Sequence, residues 1–134
     1  MSRSHSGNPF PPAIGRVLLI EDHPVLRQLL SDLLAQEGYE VECTTGPIPS
    51  GPFDLLLTDW LVPGLEIASL VESLLTSGAA AICVVMSGYP VSLDQFPAAL
   101  RQRLGFLAKP FSARQLAECL HGLQAQHLLG GQVR

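Results

Sequence analysis

Phe53-Asp54-Leu55-Leu56-Leu57-Thr58-Asp59 is the stretch on which the fold turns. Phe53 to Thr58 predicts a strand whose apolar run, Leu55-Leu56-Leu57, is continuous rather than alternating, as expected of a central strand covered on both faces. It stops at Thr58-Asp59. Three other runs stop in a similar way. Val17-Leu18-Leu19-Ile20 ends in Glu21-Asp22, Ile82-Cys83-Val84-Val85-Met86 ends in Ser87-Gly88, and Phe106-Leu107-Ala108 ends in Lys109, the only lysine of the chain. Each run is short enough to be a buried strand. In a parallel sheet the polar groups that end them meet at one edge.

The segments between the runs read as helices. Pro24 can begin one. Val25, Leu26, Leu29, Leu30, Leu33 and Leu34 then recur on one helical face, and Gly38 ends it. Tyr39 to Cys43 alternates and predicts a second strand. Ile67, Leu70, Val71, Leu74 and Leu75 predict another helix, stopped near Gly78. Leu93 to Leu104 has helical composition, but Pro97 makes that helix short or late. Ser112 with Gln115 has the spacing of a capping box, and Leu116, Cys119, Leu120 and Leu123 continue as the last helix. Strands alternating with helices imply an α/β sheet with parallel strands and right-handed crossovers. The functional crevice of such a sheet lies at the carboxyl ends of its strands. Glu21, Asp22, Asp59, Ser87 and Lys109 fall there.

The 134 residues suit one domain, and the sequence shows no internal repeat. Residues 1–15, rich in Ser, Gly and Pro, read as a disordered leader outside the core. The domain spans 16–127, and Gly130-Gly131 marks a flexible tail over 128–134. A net charge of −4 argues against direct nucleic-acid binding. The five basic residues from Arg101 onward, set against Glu118 alone, read as a solvated face. Cys43, Cys83 and Cys119 read as buried free thiols, which suits a reducing compartment. No stretch is apolar enough to span a membrane or serve as a signal peptide, so a cytoplasmic location is the default expectation.

Carboxylates crowded on adjacent strands repel one another unless a cation compensates them. Magnesium is the natural candidate, a hard ion that takes oxygen ligands and keeps waters. An aspartate beside it can attack phosphorus and become an aspartyl phosphate. The transferring oxygens then need neutralising, work that magnesium, a lysine and a hydroxyl can share. Singly, each residue has a plain explanation: a solvated turn at Glu21-Asp22, a helix cap at Asp22, a strand end at Asp59, turn composition at Ser87-Gly88, a surface charge at Lys109. Jointly, four strand ends carrying suitable groups in order favour a site.

The motifs VLLIEDHP, DLLLTDWLVPG, VVMSGY and GFLAKPF, in this order, carry a resemblance. From about Arg16 to about Gln126 the chain resembles the response-regulator receiver domain of two-component signalling. The resemblance implies a flavodoxin-like, doubly wound, five-stranded parallel sheet of order 2-1-3-4-5. It implies that Asp59 takes a phosphoryl group from the phosphohistidine of a histidine kinase or histidine phosphotransfer protein. Asp22, Asp59 and the Leu61 carbonyl would ligate Mg2+, with Glu21 acting through water. Ser87 would bond a phosphoryl oxygen, and Lys109 would pair with the phosphate. Phe106 matches the switch aromatic that turns inward as the Ser87 position moves, and reads equally as a rim or core aromatic of its strand. Such a domain is not an enzyme beyond its own phosphorylation and dephosphorylation.

The chain also departs from the pattern. Residues 44–52 hold three prolines and two glycines where the family has a helix, so they predict an extended loop. The loop has to cross two inter-strand gaps, about 10 Å, and run back roughly 15–17 Å. Nine extended residues reach about 30 Å. Ile48 is expected to plug part of the gap. Apolar surface left near the second and third strands would be a contact for a partner or for a second copy in a homodimer. Val62 replaces the methionine or leucine common before Pro63, and the acidic-glycine pair after Pro63-Gly64 is missing. The alternatives to a phosphoacceptor are a receiver-like interaction module that works without phosphorylation and a magnesium phosphohydrolase. The second needs an acid two residues after Asp59, and that position is Leu61.

Overall fold

The computed structural model describes Phe10 and residues 15–133, with side chains in the last helix as far as 126. Five strands form one parallel sheet: β1 (Arg16–Ile20), β2 (Glu40–Cys43), β3 (Phe53–Asp59), β4 (Ala80–Ser87) and β5 (Leu104–Ala108). Their order is β2-β1-β3-β4-β5, as the resemblance implies. Among the described residues, α1 (Pro24–Gln36), α2 (Ile67–Ser77) and α3 (Ala98–Arg101) lie between strands, and α4 (Ala113–Val133) follows β5. Among the described residues no helix is long and apolar enough to cross a membrane.

Strand alternation divides the core into two layers. Val17, Leu19, Leu55, Leu57, Val84 and Met86 face α1 and α4, where Leu30, Leu34, Leu116 and Leu120 meet them. Leu18, Ile20, Leu56, Cys83 and Val85 face the other way, against Ile67, Val71 and Leu75 of α2 and Leu100 of α3. The central strands are covered on both sides, which is why their sequences are continuously apolar. At Gly105 the last helix comes so close to β5 that an added Cβ would lie 2.9 Å from Cys119 Sγ and from Leu123 Cδ1.

The helix ends follow their sequence signals. His23 caps α1, its Nδ1 accepting from the Leu26 amide at 3.4 Å, and Pro24 opens the first turn. Gly78 ends α2 in the left-handed region at φ 83°. The Ser112 hydroxyl accepts from the Gln115 amide at 3.1 Å while the Gln115 side chain accepts from the Ser112 amide at 2.8 Å, completing the capping box. Pro97 splits its segment into a 3-10 turn at Leu93–Gln95 and the four-residue α3. The α4 backbone runs on through Gly130-Gly131, at which the sequence places a tail, to Val133.

Residues 44–52 contain no helix. Ile48 packs against the α2 side of the core, and Leu18, Ile20 and Leu56 beneath are fully buried. The expected apolar surface beside β2 and β3 is therefore absent among the described residues. That face of the sheet edge is polar instead. Arg16 reaches Glu42 at 3.4 Å and Glu40 at 3.7 Å, and its guanidinium lies 4.6 Å from the Phe53 ring centroid. Cys43 is also not buried, because β2 is an edge strand with no neighbour on its outer side; Cys83 is buried and Cys119 half-buried.

The leader needs one further correction. Most of residues 1–15 lie outside the described residues, but Phe10 is 5% exposed and belongs to the α1/α4 layer. Its ring meets Tyr39 edge-on, centroids 6.3 Å apart. Burial pushes the Tyr39 hydroxyl up to about 12, with Glu37 adding to the shift. The packed unit thus reaches back beyond Arg16. Phe10→Ala should lower the unfolding free energy by about 3 kcal/mol, the cost of emptying an aromatic core site. Urea denaturation measures it, and an unchanged midpoint would mean that Phe10 contributes no core packing.

Candidate phosphoacceptor site

Phe106 lies within β5, paired with Val85, whereas Glu21, Asp22, Asp59, Ser87 and Lys109, the candidate site residues, sit at the carboxyl edge of the sheet. Strand register puts them there. Ile20 pairs with Thr58, Asp59 with Met86, and Ser87 with Ala108. Glu21-Asp22 and Lys109 are the first residues beyond β1 and β5. Carboxylate oxygens of Glu21, Asp22 and Asp59 all lie within 4.8 Å of one another. The Lys109 ammonium bridges two of them, 2.9 Å from Glu21 Oε1 and 3.1 Å from Asp59 Oδ1.

Glu21 is 1% exposed, and both its oxygens are engaged. Oε1 takes the Lys109 bond and Oε2 accepts from the His23 amide at 3.1 Å. A carboxylate so deeply buried has to be paired. Asp22 is exposed and Asp59 half-buried, so the cluster opens to solvent on their side. The set suits a hard divalent cation: three carboxylates supply oxygen donors, and an open side leaves room for its waters. Leu61 follows two residues after Asp59 and lines a groove with Asp22, Val62, Pro63 and Leu65.

Ser87 is buried at the end of β4. Its hydroxyl accepts from the Tyr89 amide at 3.1 Å, and its carbonyl accepts from the Lys109 amide at 2.8 Å. Lys109 is thus tied to β4 through its backbone and to Glu21 and Asp59 through its side chain. Phe106 is half-buried on the same face of β5 as Leu104.

The chain matches the response regulator receiver domain family over residues 17–121. It belongs to that family. The receiver is 33% identical over 122 residues to the transcriptional activator protein PfeR of Pseudomonas aeruginosa, covering 87% of this chain but 38% of PfeR. It is 29% identical over 112 residues to the chemotaxis protein CheY of the same organism, covering 77% of this chain and 90% of CheY. A CheY-like receiver domain from Methanospirillum hungatei superposes with a TM-score of 0.66 at 25% identity, over 88% of this chain and all of its own. The response regulator TrrA of Thermotoga maritima, solved in complex with Mg2+ and BeF, shares the fold with a TM-score of 0.59 at 20% identity, over 82% of this chain and 99% of its own. The chain spans well under half of PfeR.

The receiver's charges are unevenly compensated. Burial makes the Asp59 carboxyl harder to ionise than an ordinary aspartate, and Glu21 adds to this; Lys109 and the Trp60 amide act in the opposite sense without cancelling it. Burial works against the Lys109 ammonium, but its bonds to Glu21 and Asp59 outweigh that and raise its pKa. Sequence reasoning found the charged groups but not their local supports. The Arg27 side chain donating to the Glu21 carbonyl at 3.1 Å, and the contact of Trp60 with Phe96, carry no motif.

A carboxyl with a raised folded pKa favours the fold below the ordinary aspartate value of 3.8 and loses that advantage as pH rises through the folded value. In magnesium-free buffer at neutral pH, Asp59→Asn should therefore melt higher than the natural chain, by a few degrees. The gap should close as pH falls below the aspartate range. Calorimetry at both pH values checks it, and a lower midpoint for the variant at neutral pH would contradict the electrostatics described.

Proposed function

We propose that this receiver takes a phosphoryl group from a phosphohistidine onto Asp59. The observation that carries this reading is the Lys109 ammonium held between Glu21 and Asp59, with Asp22 in the same carboxylate cluster. In the transfer, the P–N bond to the donor imidazole breaks and a P–O bond to an Asp59 carboxylate oxygen forms. The imidazole leaves with the bonding electron pair and keeps a proton. Asp22, Asp59 and the Leu61 carbonyl would hold Mg2+, with Glu21 acting through water. The ion supplies charge neutralisation for the phosphoryl oxygens. Lys109 supplies the second positive charge, and the Ser87 hydroxyl would turn from the Tyr89 amide to bond a phosphoryl oxygen. That movement of Ser87 would draw Phe106 inward.

The donor is a histidine kinase or a phosphotransfer protein, met in the cytoplasm. The start of α1 supports this. It begins two residues after Asp22 and leaves Val25 64% and Leu29 61% exposed, lining a groove with Pro24, Gln28 and Asp32. A donor helix laid there would keep its histidine close to Asp59.

Incubation with Mg2+ and acetyl phosphate should add one phosphoryl group, seen by intact mass and removed by hydroxylamine. Chelation of the ion should abolish the adduct, and so should Asp59→Asn. An adduct of equal yield on that variant would place the phosphoryl group elsewhere. Failure of the natural chain to form any would favour the phosphorylation-independent module.

The adduct should be long-lived. Leu61 and Tyr89 follow Asp59 and Ser87 by two residues, and both are exposed at the rim, where they can close over the phosphorus and hinder in-line attack by water. Leu61→Asn combined with Tyr89→Glu should shorten the lifetime by about tenfold, the scale of about 1.4 kcal/mol in barrier. An equal lifetime in the two proteins would remove these side chains from the account.

A further inference from the structure

Glu21, Thr58 and Ser87 are the buried polar or charged side chains among the described residues. Glu21 and Ser87 already belong to the phosphoacceptor site. Thr58, the residue before Asp59, does not. It is 0% exposed, and strand alternation turns it toward the same face of the sheet as Leu56. Leu18, Ile20, Leu56 and Val85 line that face, so the hydroxyl sits in an apolar layer. Taking a hydroxyl from water into such a layer is unfavourable unless it finds a partner. A valine of nearly the same shape would fill the place without that cost.

The partner is the Asp59 carbonyl, which accepts from the Thr58 hydroxyl at 2.9 Å. The bond falls where the ladder to β1 ends. The last β1–β3 pair is Ile20 with Thr58, one residue before Asp59. On the other side Asp59 still pairs with Met86, and the Trp60 amide donates to the Met86 carbonyl at 2.8 Å. The peptide group that joins Asp59 to Trp60 is thus held at its nitrogen by β4 and at its oxygen by Thr58. The end of β1 is braced in a similar way, since the Arg27 side chain donates to the Glu21 carbonyl at 3.1 Å. Both strand ends that carry carboxylates therefore have a backbone carbonyl fixed by a side chain.

We propose that Thr58 is a positioning residue for the phosphoacceptor: its hydroxyl fixes the peptide between Asp59 and Trp60, and through it the aim of the Asp59 carboxylate. The inference rests on the phosphoacceptor reading of Asp59 and deepens it. In-line attack needs a carboxylate oxygen at a set place relative to phosphorus, and a misplacement of about 1 Å costs about a hundredfold in rate. That carboxylate already has a defined position, with Oδ1 3.1 Å from the Lys109 ammonium. Without the Thr58 hydroxyl the peptide is held at its nitrogen alone and can rock about the end of the strand. The carboxylate then spends less of its time aimed at phosphorus. Thr58 acts through the backbone, not by contact with the phosphoryl group.

The rate at which the full chain gains its adduct from Mg2+ and acetyl phosphate, followed by intact mass, tests it. Thr58→Val keeps the shape and removes the donor, and should slow the reaction about tenfold. Thr58→Ser keeps the donor and loses only a methyl group, and should stay within about twofold of the natural chain. Thr58→Cys, a weak donor, should fall between them. Calorimetry checks that each variant is folded at the assay temperature. A threonine that only fills space predicts the opposite order, because valine packs the apolar layer and serine leaves a gap in it. Thr58→Val at the natural rate, or Thr58→Ser as slow as Thr58→Val, would overturn the positioning role and leave the phosphoacceptor reading standing. If Thr58→Val folds poorly, Thr58→Ser and Thr58→Cys decide, and equal rates in those two would overturn the role. No adduct on the natural chain would overturn both readings.

Discussion

Lys109 meets Glu21 at 2.9 Å and Asp59 at 3.1 Å, and the edge of the sheet is organised around that one ammonium. Glu21 is too deeply buried to keep its charge unpaired. Asp59 and Asp22 crowd the same space and add charge that a single lysine does not balance. Such a cluster is held together by the strands that carry it. Register between β1, β3, β4 and β5 brings the groups together, and a slip of one residue in any strand would turn its apolar faces over as well. The two-layer core therefore protects the geometry of the site. Moving the charges apart would unpack the sheet.

The same imbalance explains what the site can accept. A divalent cation would relieve the carboxylates, and a phosphoryl group would then meet two positive centres, the ion and Lys109. The polar groups that would answer the new charge are already bonded, Ser87 to the Tyr89 amide and Lys109 to Asp59. Phosphoryl transfer would exchange these partners, and elements tied to them would move.

The charged groups of the site were legible because each ends an apolar run, and the order of runs is a property of the chain alone. The absent helix between β2 and β3 was legible too, since prolines at 47, 49 and 52 cannot be helical together. What escaped depends on three-dimensional neighbours. Phe10 lies in a Pro-rich stretch whose composition reads as solvent-exposed, yet its ring finds Tyr39. Cys43 sits in an alternating strand, but only topology makes that strand the edge. The gap left by the missing helix looked apolar on paper; Glu40 and Glu42 with Arg16 make it polar. Trp60 and Phe96 are thirty-six positions apart, and no spacing rule joins them.

The most direct measurement of the central claim is a crystal structure of the chain with Mg2+ and beryllofluoride bound. The account predicts beryllium joined to an Asp59 carboxylate oxygen, the cation among Asp22, Asp59 and the Leu61 carbonyl, and Lys109 turned from Asp59 to a fluorine while keeping Glu21. Beryllofluoride joined to any other residue, or a Lys109 ammonium still paired with an unmodified Asp59, would contradict it.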